Sequence, residues 1–308
     1  MSAMERSFTN AAVISAARVL TVTFLCLGIA ALAAPRSDAA EKGRAPLRIA
    51  LIPFENPEQL LDNVQPAIRF LEKEMEKKIR YFITLSYSSA VEALNAGKAD
   101  ISFMSPLPYV LANAQTGAEA ILGEIYNGKD YYHSKIFVRK DSGIKTLADL
   151  KGKTIAYVDP ISSSGFMYPH DVFIRAGLAK GGLNKPEGEF FRRVYFAGGD
   201  EQAIRSVFGG FVNAAGVGEF AINLLRVEER GAMAVIGQSQ RIPSHVVVVR
   251  RDLNRKLRDR FIRAMLKLNN PENRLIVRAL YGTDGYVKVN NDTFRPVADM
   301  ARRYGFLK

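Results

Sequence analysis

From Pro46 onward, short apolar runs rich in β-branched residues alternate with stretches of helical periodicity, and this alternation restricts the fold more than any other feature. LRIALIPF (47–54), IRYFITLS (79–86) and ADISFMS (99–105) read as strands. PEQLLDNVQPAIRFLEKEMEK reads as a helix, with Leu60, Leu61, Val64, Ile68, Phe70 and Leu71 at near-helical spacing. SSAVEALNAG and PLPYVLANAQ read as two more, the last tolerating proline in its first turn. The pattern restarts near residue 144: TLADLKG helix, KTIAYV strand, a serine-rich segment, then a helix to about Leu178. RRVYFAG, VNAAGV, MAVIGQ and SHVVVVRR come after it as strands, with DEQAIRSVFGG and EFAINLLRVEERG as helices between them. The last sixty or so residues read as mostly helical, with Leu257, Phe261, Ile262, Met265 and Leu266 on one face. Strands alternating with helices predict a parallel α/β sheet, and two such units predict two lobes with a cleft between them.

A length of 308 residues allows about two domains. The start of the chain is set apart from both. Arg6 and Arg18 precede a 16-residue apolar run, VLTVTFLCLGIAALAA (19–34), and small residues come after it. This is the layout of a signal peptide over residues 1–40, with cleavage expected between about 33 and 40. The run is short for a membrane span; retention as an uncleaved anchor is the alternative. The one cysteine, Cys26, sits inside this run, so disulfide and zinc-thiolate chemistry are not expected of the exported chain. A net charge of +12 raises anionic partners, but the basic residues are scattered and form no run of the kind nucleic acid attracts. No nucleic-acid partner is expected.

DPISSSGF (159–166) stands where the strand KTIAYV hands over to a helix. One serine at a helix N-cap satisfies one orphan N–H; three are more than a cap needs. Ser162, Ser163 and Ser164 can instead present hydroxyls and backbone N–H groups at the positive end of a helix, with Gly165 allowing close approach. Taken alone, the pattern leaves cap and anion cradle both open.

The blocks LRIALIPF, YSSAVEALNAGKADISFMSPLPYV, IKTLADLKGKTIAYVDPISSSGF and VNAAGV, in this order, resemble the exported binding proteins of phosphate, phosphite and phosphonate ABC importers. The resemblance runs from about residue 46 to the end. It implies a two-lobed α/β periplasmic binding protein fold with a ligand cleft and two crossing strands. Lobe one would be about 46–134 plus 244–308, and lobe two about 135–243. It implies hinge closure on a small oxyanion, delivery to an inner-membrane permease, and a periplasmic location. A sensing module of the same fold, signalling to a membrane receptor, is the alternative. By the same resemblance Ser162, Ser163, Ser164, Gly165, Tyr87 and Tyr132 are ligand-binding residues, with Tyr131 or His133 as substitutes for Tyr132 if the register slips.

Three positions depart from the family. Asp200 stands where a histidine is common; it reads equally as an N-cap of EQAIRSVF. An acidic position is replaced near Gly218, leaving Glu219 or Phe220 there. His245 on the second crossing strand stands where an acidic residue occurs in phosphonate binders, and reads either as a donor to the ligand or as a satisfied strand histidine. No nucleophile elbow, phosphate-binding loop or zinc-helix motif is present, and His133, His170 and His245 are dispersed. The chain is therefore read as a binder, not an enzyme, with no cofactor and no metal.

Overall fold

Two sheets carry the architecture, and the strand ends of each deliver the residues singled out above. The computed structural model describes residues 45–53, 56–179 and 190–308; the expected signal peptide lies outside these. In chain order the strands are β1 (Leu47–Leu51), β2 (Ile79–Ile83), β3 (Ile101–Met104), β4 (Glu119–Ile125), β5 (Tyr131–Tyr132), β6 (Ser134–Arg139), β7 (Thr154–Tyr157), β8 (Arg193–Phe196), β9 (Ala214–Gly218), β10 (Met233–Gln238), β11 (Ile242–Pro243), β12 (Val246–Val249) and β13 (Gly285–Lys288). The α-helices are α1 (Pro57–Met75), α2 (Tyr87–Asn95), α3 (Pro106–Thr116), α4 (Tyr168–Arg175), α5 (Asp200–Phe208), α6 (Val227–Arg230), α7 (Arg255–Lys267), α8 (Arg274–Arg278) and α9 (Arg295–Arg303).

The first sheet has the order β13-β4-β12-β3-β1-β2, the second β10-β6-β9-β7-β8, and β5 pairs with β11 in a ribbon between them in sequence. Only part of each is parallel, which corrects the all-parallel expectation: β12 runs antiparallel to β3 and β4, β13 to β4, and β6 to both β9 and β10. The returning strand β12 (VVVV) is fully buried, so it shows no alternation that would betray its direction. The terminal stretch read as mostly helical contains β13. Two expected helices are shorter: TLADLKG gives a 3₁₀ turn at Ala148–Leu150, and EFAINLLRVEERG breaks into a 3₁₀ segment (Glu219–Leu224) and the one-turn α6.

Local chemistry sets the helices. Asn56 caps α1 by accepting from Glu58 N and Gln59 N, and Pro57 occupies the first turn. Its inner face is Leu60, Val64, Ala67, Ile68, Leu71 and Met75, at 3.6-residue spacing; Leu61, counted in the expected stripe, is exposed. That face joins Ile49, Phe103, Val247, Phe261 and Met265 in a core on one side of the first sheet. A larger core is continuous from Leu107 and Val246 of the first sheet's layers to Ile136, Tyr157 and Phe166 of the second's. The C-terminal helix α9 packs on α3, and just past it the Tyr304 hydroxyl donates to Asp171 on α4, while Phe306 and Leu307 pack against the larger core.

Asp100 ties three strands together. Its carboxylate accepts from Arg48 N (2.9 Å), Arg48 Nε (3.0 Å), an Arg48 terminal nitrogen (2.7 Å) and Arg250 Nε (3.0 Å). Burial alone would raise its pKa, but the Arg48 bonds outweigh that and hold it below the usual value. A depressed carboxylate adds stability above its unfolded pKa and loses it as pH falls through the folded one. Asp100→Asn is therefore expected to cost about 2 kcal/mol at neutral pH, with the gap to wild type closing in acid; denaturant melts at neutral pH and below the ordinary aspartate pKa check it.

Candidate ligand site at the meeting of helix N-termini

After β7 the chain turns at Asp159, whose carboxylate accepts from Ile161 N (2.9 Å) and, from the first sheet's layer, Tyr87 N (3.3 Å). Ser162 is extended (φ −71°, ψ 134°) and its hydroxyl accepts from Gly165 N at 3.0 Å. The chain then enters a π-helical turn, Ser163–Met167, in place of the regular helix expected, and this turn runs into α4. Such wide turns concentrate at functional positions. Gly165 is required there by packing: a Cβ would stand 2.3 Å from Val158 Cγ2 and 2.8 Å from Ser162 Oγ.

Ser163 reaches across to the other sheet. Its hydroxyl accepts from Leu107 N at 2.7 Å and lies 3.4 Å from Ser105 Oγ. Ser105 is the N-cap of α3 but makes no capping bond with its own side chain, so Ser163 caps that helix in its place. Ser164 Oγ accepts from Tyr132 OH (3.1 Å), and the Ser164 carbonyl accepts from Ser134 Oγ. The starts of α2 (Tyr87), α3 and α5 (Asp200) and the serine turn thus meet at one place, and among the described residues no lysine or arginine joins these bonds.

Asp200 is buried in the first turn of α5. Gly199 holds the N-cap position and Asp200 Oδ1 accepts instead from Gly218 N (3.4 Å), which replaces the capping reading. Burial pushes the carboxyl up to about 7, against hydrogen bonds from Gly218 and Tyr87. Tyr87 interacts with Ser162 and Asp200, and burial raises its phenol well above the ordinary value. A Cβ at Gly218 would stand 3.3 Å from Ser164 Oγ, 3.6 Å from Tyr132 Cε2 and 3.7 Å from Asp200 Oδ1, so the glycine keeps free the point on which these groups converge.

Seven of the eight residues singled out from sequence form this cluster. The eighth, His245, joins through its ring, stacked on Tyr132 at 4.9 Å and 27°. Burial lowers its pKa to about 4, so it is neutral; among the described residues its Nδ1 has no hydrogen-bond partner, and it lies 3.9 Å from Glu124 Oε2. Register selects Tyr132 over its neighbours: Tyr131 takes Arg241 over its face at 4.4 Å, and His133 N donates to Glu219. Glu219 also pairs with Lys135 (3.4 Å), while Phe220 stacks on Tyr126 at 4.7 Å. His170 is in the core beside Tyr157.

Sequence reasoning missed Glu124. It is buried on β4, receives the Tyr126 hydroxyl, and burial pushes it up to about 8. The signal was an acidic residue inside the apolar run AILGEIY. A cavity of about 460 Å³ is lined by Asn63, Tyr126, Phe220, Asn223 and Tyr281 among others. None of the serines lines it; it shares Tyr126 and Tyr281 with a smaller hollow against Glu124 and His245.

Two mixed sheets with their helices, a paired ribbon between them and helix N-termini facing one another define a two-lobed binding-protein fold. The binding component of a phosphonate ABC transporter from Pseudomonas aeruginosa superposes with a TM-score of 0.77 at 19% identity, over 85% of this chain and 87% of that one. The sequence pattern of the ABC-transporter phosphonate periplasmic substrate-binding proteins matches residues 49–294, and the chain belongs to that family. It is 32% identical over 184 residues to the phosphate-import protein PhnD of Mycolicibacterium smegmatis; the match takes in 58% of this chain and 57% of that protein's length. It is 26% identical over 254 residues to the phosphonates-binding periplasmic protein of Escherichia coli, over 78% of this chain and 72% of the relative. Among the described residues no helix is long and apolar enough to cross a membrane.

Replacing Gly165 with alanine drives a Cβ into Val158 and is expected to cost about 2 kcal/mol by overpacking. Thermal melting should fall by several degrees, with the second sheet's amides losing exchange protection first.

Proposed function

We propose that this protein captures a small oxyanion of the phosphate, phosphite or phosphonate class between two lobes and delivers it to an ABC permease of the inner membrane. The lobes are about 46–134 plus 244–308 and about 135–243, joined through β5 and β11. The observation that carries the reading is the meeting of α2, α3, α5 and the serine turn at their N-terminal ends. Each such end carries about half a positive charge, so an anion can be held there without a cationic side chain. Ser162, Ser163, Ser164 and Gly165 form the cradle; Tyr87 and Tyr132 donate from the facing side. Ser162 and Ser164 oxygens already accept bonds, and a hydroxyl that accepts still has its own proton to give.

Closure arises from the division of labour. Ser162 to Ser164 and Asp200 come from one lobe, Tyr87 and the α3 N-terminus from the other, so a ligand bound by both favours the arrangement in which they meet. Membership of the family supports export to the periplasm and a carrier role rather than catalysis.

A thermal-shift series with phosphate, phosphite, methylphosphonate, aminoethylphosphonate and sulfate tests this. A true ligand at 100 times its Kd adds about 2.7 kcal/mol and raises the melting temperature; a flat series across all five removes the oxyanion reading. Ser163→Ala with Ser164→Ala should weaken the bound oxyanion by a few kcal/mol, measured by calorimetry. Because Ser163 also caps α3, this variant should lose about 1 kcal/mol of stability even without ligand.

A further inference from the structure

Resting on the oxyanion reading above, we infer that Asp200 makes the site specific for oxyanions that still carry an acidic proton, accepting a hydrogen bond from the ligand's P–OH and rejecting fully ionised sulfonates and sulfate. Three observations combine. First, Asp200 Oδ1, Ser164 Oγ and the Tyr132 ring edge all lie within 3.7 Å of the point that Gly218, lacking a side chain, leaves free. A ligand oxygen seated against Ser164 and Tyr132 is therefore also against the carboxylate. Second, the carboxylate is 4% exposed, so water does not screen it. Third, its donors are few: the Gly218 N–H at 3.4 Å and Tyr87.

The groups facing Asp200 leave its charge unbalanced. From α2 comes the Tyr87 phenol, with the Asp159 carboxyl behind it; from the serine turn, Ser162 and Ser164; from β5, Tyr132; from β9, the Gly218 N–H. Behind Tyr132 stand the Glu124 carboxyl of β4 and the neutral His245 ring beside β12. The further ionisable groups are thus acidic or neutral. An unprotonated oxyanion at about 4 Å from an ionised Asp200, at an effective dielectric near 20, would be disfavoured by roughly a thousandfold; a carboxyl that titrates near 7 escapes most of this by taking up a proton, which leaves a net discrimination of a few-fold at pH 7 and about tenfold at pH 8. A ligand that brings its own proton converts that repulsion into a charge-assisted hydrogen bond, among the strongest a protein makes. Phosphonate and phosphate monoanions have such a proton at neutral pH, whereas sulfonates, of nearly the same shape, do not.

Burial pushes the Asp200 carboxyl up to about 7, so as pH falls through that value the carboxyl itself acquires the missing proton. Discrimination should then weaken, because a protonated Asp200 donates to either anion.

The experiment is calorimetric titration of the purified protein with methylphosphonate and with methanesulfonate, in wild type and Asp200→Asn, at pH 7 and pH 8. Wild type is expected to prefer methylphosphonate by a few-fold at pH 7 and by about tenfold at pH 8. The asparagine amide can donate where the carboxylate only accepts, so the variant should admit methanesulfonate and lose most of that preference. Equal wild-type affinity for the two anions, or an undiminished preference in a folded Asp200→Asn, overturns the inference while leaving the oxyanion reading intact. Wild type binding neither anion refutes both. If the variant does not fold, the wild type decides alone: the preference should shrink as pH is lowered from 8 to 6, and a constant ratio overturns the inference.

Discussion

The bond from Leu107 N to Ser163 Oγ is the contact on which the rest of the site turns. It joins the start of one helix to the turn preceding another, from opposite sheets, and it exists because α3 begins without a side-chain cap of its own. An uncapped N-terminus buried in protein is costly, so the surface around Ser105 to Leu107 demands an oxygen from outside. The serine turn supplies one here. An anion's oxygen would meet the same demand, which explains why a cap and an anion cradle are hard to tell apart from sequence: both answer the same unsatisfied N–H groups.

The interior of this site is acidic although the chain as a whole is basic. Asp159, Asp200 and Glu124 are all buried around it, and burial raises each of their pKa values. The basic side chains are instead engaged elsewhere, as Arg48 and Arg250 are on Asp100, Arg205 on Glu201 and Lys135 on Glu219. Net charge therefore says little about the cleft; its electrostatics come from helix ends and from protons held by buried carboxyls.

Much of the fold was legible. Period-2 and period-3.6 patterns placed β1 to β3, α1 to α3, β7 to β9 and α5, because each lies in a unit whose hydrophobic face is fixed locally. Strand direction was not legible where burial is complete on both faces, as in β12, since VVVV looks the same either way. β13 was hidden because it is only four residues long, two buried and then two exposed, too short a run to set a period. In the site, the serines and both tyrosines could be singled out by chain order and family resemblance. The partnership of Ser163 with Leu107 could not, being a contact between residues 56 apart in sequence. Glu124 escaped for the same reason: only the tertiary fold brings its carboxyl against His245, far along the chain, which no local pattern records.

The hydroxyl of Tyr304 has a consequence for how such a molecule opens. Helix α9 rides on α3 of the first sheet, yet the residue just past it is tied to Asp171 on α4 of the second, and Phe306 and Leu307 continue into the shared core. Residues 304–307 are thus a third link between the layers of the two sheets, besides the two strands of the β5/β11 ribbon. Under the proposed hinge closure, a third link placed off the axis of the two strands would be a clasp that has to slide or let go before the lobes part. Under the same proposal, ligand release would depend partly on Tyr304 to Leu307, far along the chain from the serine turn.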